Sequence, residues 1–156
     1  MIYRVKYIIL YTMTIQITIL EKNDYIHYLN LMRQFRPIEY EISFDKFSEI
    51  YDIIFKNSEI FVARTDDKIV GSITLIYDQK FINNYALYAH IEDVVVDENY
   101  RHLKIGSKLL DYAKNRSNEK NCAKCTLTCS KEISSFYLKN NFQEKGIQMT
   151  FIPLNN

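Results

Sequence analysis

Polar and apolar residues alternate near the start of the chain, with Thr14, Gln16 and Thr18 interleaved with Ile15, Ile17 and Ile19. A period of two is the pattern of a half-buried strand, so a first strand is predicted over Thr14–Leu20. The period then changes. Tyr25, Leu29 and Met32 recur at helical spacing behind a capping Asn23 or Asp24, and Pro37 ends the run. Ser43 is the predicted N-cap of a second helix, with Phe47, Ile50, Ile54 and Phe55 on one face. β-branched runs on either side of Thr65–Lys68 predict a hairpin. "YALYAHIEDVVV" reads as a long strand. A helix follows from about Gly106 to Asn118, buried through Leu109, Leu110 and Ala113. "AKCTLTC" predicts a strand, "KEISSFYLKNN" a short helix and "IQMTFI" a last strand.

The predicted order is β-α-α-β-β-β-α-β-α-β, a mixed α/β sheet with helices on its faces. No repeat, low-complexity linker or domain boundary interrupts it. Residues 1–12 read as an N-terminal extension and residues 13–156 as a single domain, with Met13 a candidate start residue.

Composition narrows the picture. A chain of 156 residues that is 47% hydrophobic and 25% charged can bury a real core. The formal net charge of +1 argues against a nucleic-acid binder, which carries a basic excess. It leaves room for a small anion held by a few local cations. The N-terminal stretch has early basic residues and no charge from Tyr7 to Leu20, as a signal peptide does. Its threonines and its period of two make it too polar for a membrane span, and no small-residue cleavage site follows. A cytoplasmic protein without membrane contact is expected. Cys122, Cys125 and Cys129 are an odd, clustered set without a nearby histidine. They are expected to be buried, reduced thiols and not a metal site.

The candidate chemistry lies in "HIEDVVVDENYRHLKIGSKLL", His90–Leu110. A strand that runs through a tight loop into a helix aims free backbone N–H groups at the loop, and these favour an anion. The chain has 3 glycines, and Gly106 stands where a close backbone approach would be needed. Arg101, Lys104 and Lys108 add positive charge. "YRHLKIG" is thus a candidate pyrophosphate cradle. The same residues would also suit a plain strand-turn-helix.

An arginine and a glycine after "VVVD" and before an apolar helix resemble the acetyl-CoA loop of the GNAT acetyltransferase superfamily, whose element order is the one predicted here. Within it, the chain is most similar to the glucosamine 6-phosphate N-acetyltransferase family. The similarity rests on an H-I-E-D acid pair at His90–Asp93, K-F-I at Lys80–Ile82, C-x-K at Cys122–Lys124, a cysteine eight positions before a tyrosine at Cys129 and Phe136-Tyr137, and a G-V-Q-M-like ending at Gly146–Met149. The spacing holds from about Lys80 to Met149. The chain departs from the family where glycines are usual, at His102 and Lys104. It has Thr128 for an acid, Ile133 for an asparagine and Asn83 for a histidine. Its ending, "TFIPLNN", carries no charge where a basic residue often helps bind the sugar phosphate.

The resemblance implies a mostly antiparallel, twisted sheet splayed at the acetyl-CoA site, with acetyl-CoA as donor and a phosphosugar amine as acceptor. It implies coenzyme contacts from Val94, Val95, Val96, Arg101, His102, Leu103, Lys104, Ile105, Gly106, Ser107, Tyr137 and Lys139. Sugar contacts would come from Lys80, Phe81, Asn83, Glu92, Asp93 and Thr128. Alternation along the strand points Glu92 and Asp93 to opposite faces, so they are expected to act differently. Glu92 is the candidate base or orienter of the amine, and Asp93 a support of the site. Tyr137 is the candidate acid for the leaving thiolate, since a phenol is protonated at neutral pH. Lys80 would hold the phosphate, and Arg33 or Arg36 could supply the cation missing from the C-terminus. His27 and His90 read as structural. The family's usual homodimer would let Lys80 serve the neighbouring subunit. The alternatives are a GNAT enzyme for another primary amine, such as a polyamine, an aminoglycoside or a protein N-terminus, and a non-catalytic coenzyme-A-binding module.

Overall fold

Among the described residues, five strands follow one another across a single sheet in the order β1-β2-β3-β4-β5. The structure is a computed structural model that describes residues 14–66 and 68–153. The extension assigned to residues 1–12, and Met13, lie outside the described residues. β1 (Gln16–Ile19), β2 (Ser58–Arg64), β3 (Ile69–Gln79) and β4 (Leu87–Val96) pair antiparallel in turn. β5 (Lys124–Leu127) runs parallel to β4. The mostly antiparallel α/β sheet of the sequence analysis is what forms.

Helices α1 (Tyr25–Phe35) and α2 (Phe44–Ile54) cover one face of the sheet. Ser43 caps α2 by accepting the Lys46 N–H at 3.2 Å. α1 stops at Phe35, ahead of Pro37. The other face carries α4 (Ile105–Glu119), which crosses from β4 to β5, and the short α5 (Ser134–Lys139). Alternation along β2 feeds both cores. Phe61 and Ala63 pack towards α4, where Leu109, Leu110 and Ala113 are fully buried, whereas Ile60 and Val62 pack towards α1 and α2.

β4 breaks this alternation. Ala89 and Ile91 belong to the α4-side core, and regular spacing would send Val95 there too. Val95 instead joins the α1-side core. Pairing explains the switch: Thr74 faces Glu92 and Ser72 faces Val95. β3 passes one residue between these pairs and β4 passes two, so β4 carries a bulge. Asp93 absorbs it with a φ of 49°.

Two loops carry unusual backbone. β3 and β4 are joined through a single left-handed turn, α3 (Ile82–Tyr85), in which Asn83, Asn84 and Tyr85 all have positive φ. The last predicted strand, over "IQMTFI", is not formed. Residues 147–152 pair with no strand, and Ile147, Met149 and Phe151 are 93%, 91% and 85% exposed. Alternation specifies which side chains would share a face. A strand also needs an edge to pair with, and this segment meets none within the described chain.

Candidate functional site

β4 and β5 pair only from Tyr88 with Lys124 to Ile91 with Leu127. Beyond Ile91 the two strands part, so β4 from the bulge to Val96 has no β5 neighbour. Where the sheet opens there is a cleft of about 600 Å³. Val94, Val95 and Val96 form one side; Arg101, Lys104, Gly106 and Ser107 form the loop and first turn of α4. Ile133, Phe136 and Tyr137 close it from α5, and Gln34 and Phe35 from the end of α1. A splayed strand edge, a helix N-terminus and two cations suit an extended molecule with amides and phosphates.

The loop into α4 is built on Asp97, which is 4% exposed. Its carboxylate accepts from the Asn99 N–H at 3.0 Å, from Lys68 Nζ at 3.2 Å and from Gln34 Nε2 at 3.2 Å. Burial works to raise this carboxyl, but the Asn99, Gln34 and Lys68 hydrogen bonds outweigh it and lower it. Gln34 also accepts the Glu98 N–H at 3.3 Å. Arg101 Nε donates to the Val96 carbonyl at 3.3 Å. Lys104, at the N-cap of α4, is left-handed with a φ of 57°.

The glycine at 106 also answers a need on the protein's own side. A Cβ there would lie 3.0 Å from Phe136 Cζ, so the absent side chain makes room for an aromatic ring from α5. The left-handed position belongs to Lys104. Phe136 in turn sits edge-on to Tyr137, with ring centroids 5.1 Å apart. Burial, with Cys129 adding to it, pushes the Tyr137 phenol above its ordinary value.

The bulge bears on the expected opposition of Glu92 and Asp93. The bulge falls on Asp93, so alternation does not run through the pair. Both residues are exposed, and burial followed by the Glu92 charge raises the Asp93 carboxyl. On its other side, Asp93 adds to the burial that pushes Tyr28 of α1 up to about 12. Before the bulge, Tyr88, His90 and Glu92 share one face of β4. His90 Nε2 lies 3.0 Å from Glu92 Oε1, and His90 Nδ1 lies 2.9 Å from Thr126 Oγ1 of β5.

The remaining candidates scatter. Lys80, Phe81 and Asn83 sit in the β3–β4 connection, about 16 Å from Glu92 along β4 at roughly 3.3 Å per residue. Lys80 pairs with Asp78, Asn83 donates to the Tyr88 hydroxyl, and Phe81 is 93% exposed. His102, Lys139 and Thr128 are exposed and do not line the cleft, whereas Leu103 packs on the core. The Ile105 side chain is fully buried, which leaves only its backbone for a ligand. Cys122, Cys125 and Cys129 are free and half-buried. Gln34 and Phe35 of the cleft were not singled out from sequence, because nothing local marks a helix end that meets a loop some 60 residues later. Lys124, which closes the C-x-K motif, has no role assigned from sequence. Its ammonium lies 4.2 Å above the Tyr88 ring, and Lys80 approaches the same ring at 5.8 Å.

Comparison with known proteins agrees with this geometry. Residues 56–144 match the acetyltransferase (GNAT) domain family. The chain is 33% identical over 115 residues to glucosamine 6-phosphate N-acetyltransferase 1 of Dictyostelium discoideum, covering 70% of this chain and 73% of that protein. Among solved structures it is similar to a Trypanosoma brucei acetyltransferase, with a TM-score of 0.85 and 28% identity over 90% of this chain and 100% of the other. It is also similar to the glucosamine-6-phosphate N-acetyltransferase of Arabidopsis thaliana, with a TM-score of 0.82 and 28% identity over 89% of this chain and 98% of the other.

Proposed function

The chain belongs to the GNAT acetyltransferase family, and from that premise we propose that it transfers acetyl from acetyl-CoA to the amine of glucosamine 6-phosphate. The observation that carries the acceptor is the order of charge along one face of β4. Glu92 stands at the bulge. About 13 Å away along the strand, at roughly 3.3 Å per residue, two ammonium groups, Lys80 and Lys124, converge on Tyr88. An amino sugar phosphate has the complementary order, an ammonium at one end and a phosphate dianion at the other. A polyamine would meet two cations, which disfavours it. Lys124 thus offers the cation that the uncharged C-terminus lacks. Arg33 is engaged with Asn30, and Arg36 lies over Phe35.

The cleft fits acetyl-CoA, which supplies an acetyl group already activated as a thioester. The unpaired edge of Val94–Val96 suits the amides of the pantetheine arm. Arg101, Lys104 and the N–H groups at Gly106 and Ser107 suit the pyrophosphate. Glu92 takes the proton that frees the amine to attack, directly or through a water. The Val94 N–H stabilises charge on the carbonyl oxygen as the C–N bond forms. Tyr137, kept protonated by its surroundings, donates to the sulfur as the C–S bond breaks. The second proton that the nitrogen sheds on becoming an amide leaves to solvent, from which the phenol is reprotonated. Asp93 supports the bulge that brings these groups together. The product, N-acetylglucosamine 6-phosphate, would feed UDP-N-acetylglucosamine synthesis.

A homodimer belongs to the same proposal. The apolar side chains of Ile147, Met149 and Phe151, and of Phe81 at the β3–β4 turn, are exposed on a chain whose β5 is an edge strand. A second copy would cover them and pair the 147–152 segment. No helix among the described residues is long and apolar enough to cross a membrane. The free thiols support a reducing, cytoplasmic setting.

The test is coenzyme-A release from acetyl-CoA with glucosamine 6-phosphate, glucosamine or spermidine as separate acceptors. Preference for the phosphorylated sugar is expected. Turnover with spermidine alone would overturn the acceptor and leave the transferase.

A further inference from the structure

We infer that His90 and Thr126 are positioning residues that hold Glu92 in one orientation through a hydrogen-bonded relay across the β4–β5 edge. The inference rests on the reading of Glu92 as the group that receives the acceptor's proton.

The relay has three members. Thr126 Oγ1 lies 2.9 Å from His90 Nδ1, and His90 Nε2 lies 3.0 Å from Glu92 Oε1. Register enforces the contacts, because His90 is the direct partner of Thr126 in the last stretch where β4 and β5 still pair. The Thr126 hydroxyl has one proton and two acceptors in reach, His90 Nδ1 and the more distant Ala89 carbonyl at 3.4 Å. Given to Nδ1, that proton leaves the ring's own proton on Nε2, which faces the carboxylate. Thr126 thereby selects the tautomer that can donate to Glu92.

Glu92 needs such a holder. It is 48% exposed and stands beside a bulge, where the ladder no longer fixes the strand, and Asp93 repels it from the next position. A freely rotating carboxylate would meet the amine in few of its conformations. Misplacement of a reacting group by about 1 Å can cost roughly 100-fold in rate. The relay fixes one carboxylate oxygen and leaves the other for the amine.

The test is steady-state kinetics with glucosamine 6-phosphate, or with whichever of the three amines above the wild-type protein acetylates, with thermal melts as a folding control. His90→Leu is expected to lower kcat by about 10- to 100-fold, with KM for acetyl-CoA unchanged. His90→Gln recovers most of that loss, because an amide nitrogen can donate to Glu92 from a similar place. Thr126→Val lowers kcat by about 3- to 10-fold, and adds nothing in the His90→Leu background. Wild-type kcat in His90→Leu, with Glu92→Gln inactive, overturns the relay and leaves Glu92 as the base. Wild-type turnover in Glu92→Gln overturns both. Equal losses in His90→Leu and His90→Gln, additive with Thr126→Val, show a merely structural histidine and overturn the inference. If His90→Leu loses its cooperative melt, Thr126→Val decides alone. It keeps a β-branched residue in the strand, and wild-type kcat there also overturns the relay.

Discussion

The Gln34 amide donates to the Asp97 carboxylate at 3.2 Å, tying the end of α1 to the start of the loop that opens the cleft. Gln34 also accepts the Glu98 N–H, so one side chain bridges a helix and a loop distant in sequence. Asp97→Asn removes the charge that Lys68 and Gln34 serve. A buried carboxylate with charge-assisted hydrogen bonds is worth about 2–3 kcal/mol. The variant is expected to melt several degrees lower and to bind coenzyme A about 10-fold more weakly, as calorimetry would show. Unchanged affinity would mean that the loop holds its shape without Asp97.

Lys104 occupies a left-handed position that glycine adopts freely. Lys104→Gly is expected to gain about 1 kcal/mol, a rise of roughly 3 °C in Tm for a chain of this size. The same change removes a cation from the cleft, so coenzyme-A binding should weaken and depend less on salt. A variant that is both less stable and an equal binder would contradict both parts.

Tyr137 is buried, and burial followed by Cys129 raises its phenol. Tyr137→Phe is expected to reduce kcat by about 100- to 1,000-fold with little change in KM for acetyl-CoA. In the wild-type enzyme, any alkaline fall in kcat due to this phenol lies above its ordinary value near 10. Full turnover in Tyr137→Phe would remove it as the acid.

Glu59 joins β2 to the end of α4. Arg116 donates to it at 2.9 and 2.6 Å, and the Tyr77 hydroxyl at 2.6 Å. Burial alone would raise this carboxyl, but the Arg116 and Tyr77 hydrogen bonds and the Lys120 charge hold it at about 2. A depressed carboxylate stabilises the fold fully above its unfolded value of about 4.3. That stabilisation is lost as pH falls towards 2. Glu59→Gln should therefore lower stability at neutral pH and flatten the acid limb of the melting curve. An unchanged limb would assign acid unfolding to other groups.

Ending the chain after Lys145 removes the exposed Ile147, Met149 and Phe151. If the proposed dimer forms through them, its loss on a sizing column with light scattering is expected, with the monomer still folded. A dimer that survives the truncation would place the interface elsewhere.

The sequence alone determined what depends on local rules. Alternation located the sheet strands, helical spacing and Ser43 located α2, and the run from "VVVD" to Gly106 located the strand-loop-helix at the cleft. The same rules failed where the outcome depends on a partner brought from far along the chain. Alternation predicts a regular β4, but pairing with β3 forces an extra residue into the strand, and Asp93 takes a positive φ. It proposed a strand over "IQMTFI", but a strand exists only where an edge is free to pair with it. Nothing local to Gly106 shows that a Cβ there would also press on the Phe136 ring, 3.0 Å away. His90 meets Thr126 only because β5 pairs beside β4, a contact that no pattern in the strand itself marks. A residue's period is written in its neighbours, whereas bulges, cleft walls and hydrogen-bonded relays are set by register between strands and by the packing of helices on them.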